Sequence, residues 1–373
     1  MTRLVVIGGG SLSTATLYSL ATLDLLVAQN PSRIQGSAPQ VESFVLTRQE
    51  GAAESICTIA NIRGASTRHV RFHPISGASA DIEHPDFATL VHKIRPTGIL
   101  LCASRQSPWE GDRRPSAWTS FVRRAGYGVT LPLQADYAIL VGRIAEASGA
   151  WFVNACLPDL VDPLLRALGI PVITGVGNLA ILAAALQEAL GLPDQSSLTA
   201  VGHHLHLHPP ACPDDELRAW QDGKPVENLE LLLAPVRRVE RSKLNHLTGH
   251  TVARTVGALL TGARLDCHLA GPDGLPGGYP ARLENGRVGL RLPPDLDLDD
   301  ARALNERWSL EDGALASDGH VIFGPTAAEA LAAELPHLSD GFEIAELARA
   351  RDDLMQLRER LRHRPEGESG GGT

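Results

Sequence analysis

With 373 residues, 43% of them hydrophobic, the chain can bury a sizeable core, as one large α/β domain with additions or as two domains. A formal net charge of -9 argues against nucleic acid and anionic membrane as partners, and the basic clusters "GDRRP" and "PVRRVERSK" read as solvated faces. Cys57, Cys102, Cys156, Cys212 and Cys267 are scattered, odd in number and without CxxC spacing, which excludes a disulfide framework and a structural zinc knot. No secretory leader precedes the first apolar run, and no run is long and charge-free enough to span a bilayer, so a soluble cytoplasmic protein is expected.

Along the chain, "RLVVIGG" reads as a buried strand and "SLSTATLYSLATL" as a helix that Ser11 or Ser13 can cap. Residues 43–47 and "HVRFHPI" read as further strands. "FATLVHKIRPTGILLCAS" is a helix, a Pro-Thr-Gly turn and a strand at 98–103. "QADYAILVGRIAEASG" is a helix closed by Gly149, followed by the strand "WFVNA". "LPDLVDPLLRALG" is a helix, "IPVITGVG" a strand and "NLAILAAALQEALG" a helix. Apolar strands alternating with helices at this spacing predict a Rossmann-type doubly wound parallel sheet over residues 1–195. Residues 196–363 read as a second, mixed α+β domain that caps the site and supports assembly. In it "KLNHLTGHTVARTV" is helical, "EDGALASDGHVIFG" a hairpin, and "TAAEALAAEL" and "EIAELARARDDLMQLRERLRHR" are helices. Residues 364–373 read as a disordered tail.

The glycine run between the first strand and the first helix is the first functional signal. Glycine lets backbone N–H groups approach a pyrophosphate, and the helix N-terminus favours an anion. Gly8 and Gly10 supply two glycines of a GxGxxG pattern, with Ser13 at the third. Gly8, Gly9, Gly10, Ser11 and Leu12 are therefore candidate cofactor contacts, and Ser104, after the fourth strand, joins them. The second strand ends in Thr47 and Arg48 where an acid usually binds the ribose, which favours NADP over NAD. The alternative is a solvated Arg48, with Glu50 serving the ribose.

Several segments, in order, resemble the NAD- and metal-dependent 6-phospho-glycosidases of glycoside hydrolase family four, within the lactate/malate dehydrogenase superfamily. They are "RLVVIGGGSLSTATLYSL", "GYGVTLPLQADYAIL", "WFVNACLPDLV", "VITGVGNLAI", "AVGHHLHL" and "LAGPDGLPGGYPARLENGRVGLRLP". The resemblance implies a nicotinamide cofactor, a homo-oligomer, and a divalent metal held by a cysteine and a histidine. The cysteine position falls on Gly177, beside Asn178, and the histidine position on His204. Loss of the cysteine points to metal-free chemistry, with His204 as proton shuttle. The alternative is a rebuilt metal site using His204 and Cys156. The dehydrogenase relatives also carry an Asp that orients the histidine and an Arg that grips a carboxylate. The helix "GNLAILAAALQEAL" offers neither in its first turns, so a simple 2-hydroxy acid dehydrogenase is not expected.

In "GHHLHLHPP", an extended reading puts His204, His206 and His208 on one face. They would span about 13 Å, too far for one tetrahedral ion to take all three. His246 and His250 are further candidates, i,i+4 on a helix. Asn154, at a strand's carboxyl end, is a candidate catalytic and cofactor contact. Arg105, Arg113, Asn178, His203 and His206 are candidate substrate contacts, with Arg114 close by and Lys243 a base only if buried. The reading is an NAD(P)-dependent oxidoreductase acting on a polar small molecule. The alternatives are a redox-elimination glycosidase and a nucleotide-binding regulatory or scaffold protein without catalysis.

Overall fold

The computed structural model describes residues 2–24 and 41–366. Its first half runs β1 (Thr2–Ile7), α1 (Ser11–Thr22), β2 (Val41–Thr47), α2 (Ala52–Arg63), β3 (Val70–Ser76), α3 (Phe87–Ile94), β4 (Gly98–Leu101), α4 (Glu110–Arg113), α5 (Ala117–Ala125), α6 (Leu131–Ser148), β5 (Trp151–Asn154), α7 (Pro158–Ala167), β6 (Thr174–Gly175) and α8 (Leu179–Ala189). The six strands pair in parallel in the order β3-β2-β1-β4-β5-β6, the doubly wound order of dinucleotide-binding folds. Alternation explains why the strands are apolar throughout. Val5, Ile7, Ile99 and Leu101 face a core shared with α5, α6 and α7, while Leu4, Val6 and Leu100 face another shared with α1, α2 and the later helix Arg241–Thr261. The strand expected in "IPVITGVG" contracts to Thr174 and Gly175. Pro171 has no N–H to give a ladder at its start.

The second half runs β7 (Leu198–Val201), β8 (Arg218–Gln221), β9 (Lys224–Pro225), α9 (Leu229–Arg237), α10 (Arg241–Thr261), β10 (Leu265–Ala270), β11 (Gly278–Glu284), β12 (Arg287–Leu290), α11 (Leu298–Asp312), β13 (Ala314–Ser317), β14 (His320–Phe323), α12 (Pro325–Glu334), β15 (Phe342–Glu343) and α13 (Leu347–Arg362). β7-β8-β9 and β13-β14-β15 form small sheets of their own. The main sheet does not stop at residue 195. β10 adds antiparallel to β6, at Ala270 opposite Gly175, and β11 and β12 extend it to nine strands. Without that cover β6 would be a bare edge.

α13 returns across the first half. Arg362 donates to both oxygens of Glu110 at 2.6 and 2.7 Å, and Arg358 donates to the Arg105 carbonyl at 2.7 Å. Of the expected tail, Glu366 accepts from Thr119 and Arg123, and residues 367–373 lie outside the described residues. Among the described residues no helix is long and apolar enough to cross a membrane.

Candidate active site

The parallel strands β1, β4, β5 and β6 end at one edge, where open α/β sheets bind ligands. At β1 the chain leaves through Gly8, whose φ is +119°; a side chain there would come within 2.8 Å of the Cys102 carbonyl oxygen. Gly10 caps α1 with no side-chain acceptor, and the first turn carries no acid. The expected caps do other work. Ser13 Oγ donates back to the Gly10 carbonyl, and Ser11 Oγ accepts from Asn245 on α10. A Cβ added at Gly10 meets nothing within 4 Å. This loop therefore fits a pyrophosphate: N–H groups uncapped by any side chain, a favourable dipole and open space. At the end of β2, Thr47 Oγ1 donates to the Gln49 carbonyl and meets Ser76 Oγ, which donates to Glu54, while Arg48 is exposed.

The second cluster gathers at α7 and at the residues after β7. The expected row of histidines on a strand face is corrected. β7 ends at Val201, and residues 204–207 form a 3-10 turn. The reason is local: the His203 N–H donates to His206 Nδ1 at 2.9 Å, and His203 Nδ1 accepts from the Leu205 N–H at 3.5 Å, which curls the chain. Arg237 holds the turn, donating from Nε and Nη2 to the His206 carbonyl and from Nη2 to Glu216.

His204 then stands between two carboxylates from distant parts of the chain. Its Nε2 is 3.1 Å from Asp312 Oδ1, and its Nδ1 is 3.7 Å from Asp159 Oδ2. The His203 ring lies against it, tilted by 37° with 4.5 Å between centroids. Asp159 is 1% exposed and Asp312 8%. His204 Nδ1, Asp159 Oδ1, Asp162 Oδ2 and Asp312 Oδ2 are all buried without a hydrogen-bond partner. Burial opposes a charge on His204, but Asp312 and Asp159 together outweigh it and raise its pKa to about 10. Burial likewise pushes the Asp159 carboxyl up, and His203 and His204 outweigh it, holding it below the usual range. Burial raises Asp312, with His204 opposing. Burial, with the charge on His204 beside it, drives the His203 pKa well down.

Three other candidates have polar atoms engaged within the fold. Asn154 is fully buried and spent within the fold: its amide donates to Asp162 and the Cys156 carbonyl, and its oxygen accepts from the Cys156 N–H. Arg105 is ion-paired with Asp136 and Glu83 and lies over the Tyr137 ring, so its fork is not free for a substrate. His206 accepts from the His203 N–H and donates through Nε2 to the Asp215 carbonyl. Cys156 does not join His204. Its thiol meets the Ala103 carbonyl at 3.2 Å, and burial pushes its pKa well up, against a thiolate. Ser104 Oγ donates to the Gln106 carbonyl. Arg113 and Lys243 are exposed, as are His246 and His250 on α10. Asn178 precedes α8 without capping it.

No protein-family model matches the chain. No curated protein matches it either. Solved structures similar to it include the 6-phospho-beta glucosidase from Thermotoga maritima, at 11% identity over 97% of this chain and 99% of that one, with a TM-score of 0.49. They also include lactate dehydrogenase from Cryptosporidium parvum (15%, 83% and 95%, 0.48), solved with lactic acid and nicotinamide adenine dinucleotide. A third is malate dehydrogenase from Plasmodium falciparum in complex with NADH (10%, 96% and 100%, 0.47).

The residues that sequence reasoning missed are the acids. Asp159 and Asp162 lie in "LPDLVDP", one helical turn apart, at the start of the helix that follows β5. That placement at a strand's carboxyl end was a readable signal. Asp312 closes α11, where the helix dipole disfavours a negative charge. An acid at the wrong end of a helix was the second signal.

Proposed function

We propose that the chain is an NAD(P)-dependent oxidoreductase acting on a hydroxyl or carbonyl carbon of a polar small molecule, with His204 at the reacting centre. One juxtaposition supports this reading. The open N-terminus of α1 follows β1, and the cluster of Asp159, His204 and Asp312 gathers where β5 ends, both at the carboxyl edge of one parallel sheet. When bound, the nicotinamide supplies a hydride donor or acceptor. The chain supplies the rest. Backbone N–H groups of Gly10, Ser11 and Leu12 hold the pyrophosphate, and the exposed Arg48 faces the ribose end. Asp312 fixes the His204 ring through Nε2, leaving Nδ1 and the Asp159 carboxylate to face the reacting oxygen of the substrate. A site built from carboxylates suits a hydroxyl-rich or cationic substrate better than a 2-hydroxy acid.

The test has two parts. Calorimetry measures NAD and NADP binding to the chain, and NAD(P)H absorbance is followed with panels of alcohols, sugars and keto compounds. His204→Asn should lower turnover by roughly two to four decades, the usual worth of a general acid or base, and leave nucleotide binding intact. A nucleotide that binds but never changes redox state across the panels would instead support the regulatory reading.

A further inference from the structure

We infer that Asp159, His203 and His204 form a divalent-metal site in which a carboxylate has taken the place of the missing thiolate. The inference rests on the reading that this cluster faces the substrate. Three observations carry it. First, one donor atom from each of the three residues can be chosen so that all lie within 4.8 Å of one another, the compass of a single ion with small adjustments. Second, Asp159 stands where the lost ligand would have reached. A Cβ built on Gly177, the position of the cysteine in the resembled family, would lie 3.4 Å from Asp159 Oδ2. Third, two of the three residues offer buried atoms with no partner, while the His203 ring nitrogens meet only the Leu205 N–H and the Ser309 hydroxyl, each at 3.5 Å. Asp159 is 1% exposed with Oδ1 unpartnered, and His204 Nδ1 has no hydrogen bond. Buried polar atoms without partners are rare, and an ion is one of the things that satisfies them.

The outer shell fits as well. A metal-bound imidazole commonly gives its other N–H to a carboxylate, which fixes the ring. His204 has this arrangement, with Nε2 at 3.1 Å from Asp312 Oδ1. Two imidazoles and one carboxylate suit zinc, manganese, iron or cobalt, and leave coordination positions for a substrate oxygen. A bound ion there would polarise that oxygen.

The experiment titrates the full chain, stripped with a chelator, with Co2+. Uptake is read by native mass spectrometry and visible absorption, with NAD and NADP binding measured on the same samples. The parent should take up one Co2+ per chain, with no sulfur-to-cobalt charge-transfer band. Loss of an outer-shell partner typically weakens metal binding by about 10- to 100-fold, the loss expected for Asp312→Asn; Asp159→Asn, losing a direct ligand, should cost at least about a hundredfold. Cys156→Ser should bind as the parent does. No stoichiometric uptake by the parent overturns the inference, and needs no variant to fold. So does unchanged affinity in a folded Asp159→Asn, or a thiolate band that vanishes in Cys156→Ser. Failure of the parent to bind nucleotide would sink the oxidoreductase reading and leave the metal result standing.

Discussion

Gly10 and Arg48 test the cofactor half of the site one residue at a time. A side chain at Gly10 meets no neighbour within 4 Å, so Gly10→Val should fold normally and still fill the space where a pyrophosphate would lie. Calorimetry should show nucleotide binding lost and the unfolding midpoint kept. Unchanged affinity in the folded variant would remove this loop from the site. Arg48 is exposed beside Thr47, free to meet a ribose phosphate. Its contact is charge-assisted, worth roughly 1.5–3 kcal/mol. Arg48→Ala should therefore weaken NADP about ten- to a hundredfold and spare NAD; equal affinity of the parent for both cofactors speaks against the contact.

Among elements, the short turn at 204–207 depends most on one distant side chain. Arg237 of α9 is 3% exposed and gives three hydrogen bonds, two to the His206 carbonyl and one to Glu216. Arg237→Ala leaves the buried Glu216 with the Leu217 N–H but without its ion-pair partner, a change that typically costs about 3–5 kcal/mol. Urea unfolding should show that loss, and a shift under 1 kcal/mol would mean the turn holds itself. This turn also marks where the sequence ceased to be legible. Strands such as β1 and β4 declare themselves by apolar runs, Leu4 to Ile7 and Ile99 to Leu101, and α6 ends at the Gly149 read as its stop. The parallel architecture follows from such local patterns. The histidine segment alternates like a strand, yet side-chain to backbone hydrogen bonds bend it, and spacing alone does not report them. The acids around His204 were hidden for a different reason. Asp159 and Asp312 meet it only through tertiary packing, so no local window contains the constellation.

The molecule as a whole should lose stability in mild acid. His268 is 1% exposed and neutral, accepting from the Ala200 N–H and bonded to Gln195, and burial lowers its pKa to about 3. Above the unfolded value of about 6.5 neither state takes the proton, and stability is unaffected. Below it the unfolded chain binds one proton more, so stability falls by about 1.4 kcal/mol per pH unit down to the folded value. His203 and His206, also lowered by burial, add in the same direction. In the metal-free chain His204 works oppositely: its raised pKa gives stability that is full below about 6.5 and lost as pH rises toward 10. Urea unfolding between pH 4.5 and 9 should peak near neutrality, and a flat profile from 7 to 4.5 would contradict the buried neutral histidines. The nine-stranded sheet carries a further consequence for anyone who cuts the gene. Because β10 seals β6 and α13 ties down Glu110, a fragment ending near residue 195 would expose an unpaired strand edge and lose its clamp. Such a fragment should precipitate when made alone, and co-production with the remainder of the chain should rescue it, so a split-protein reporter is a natural use of this scaffold.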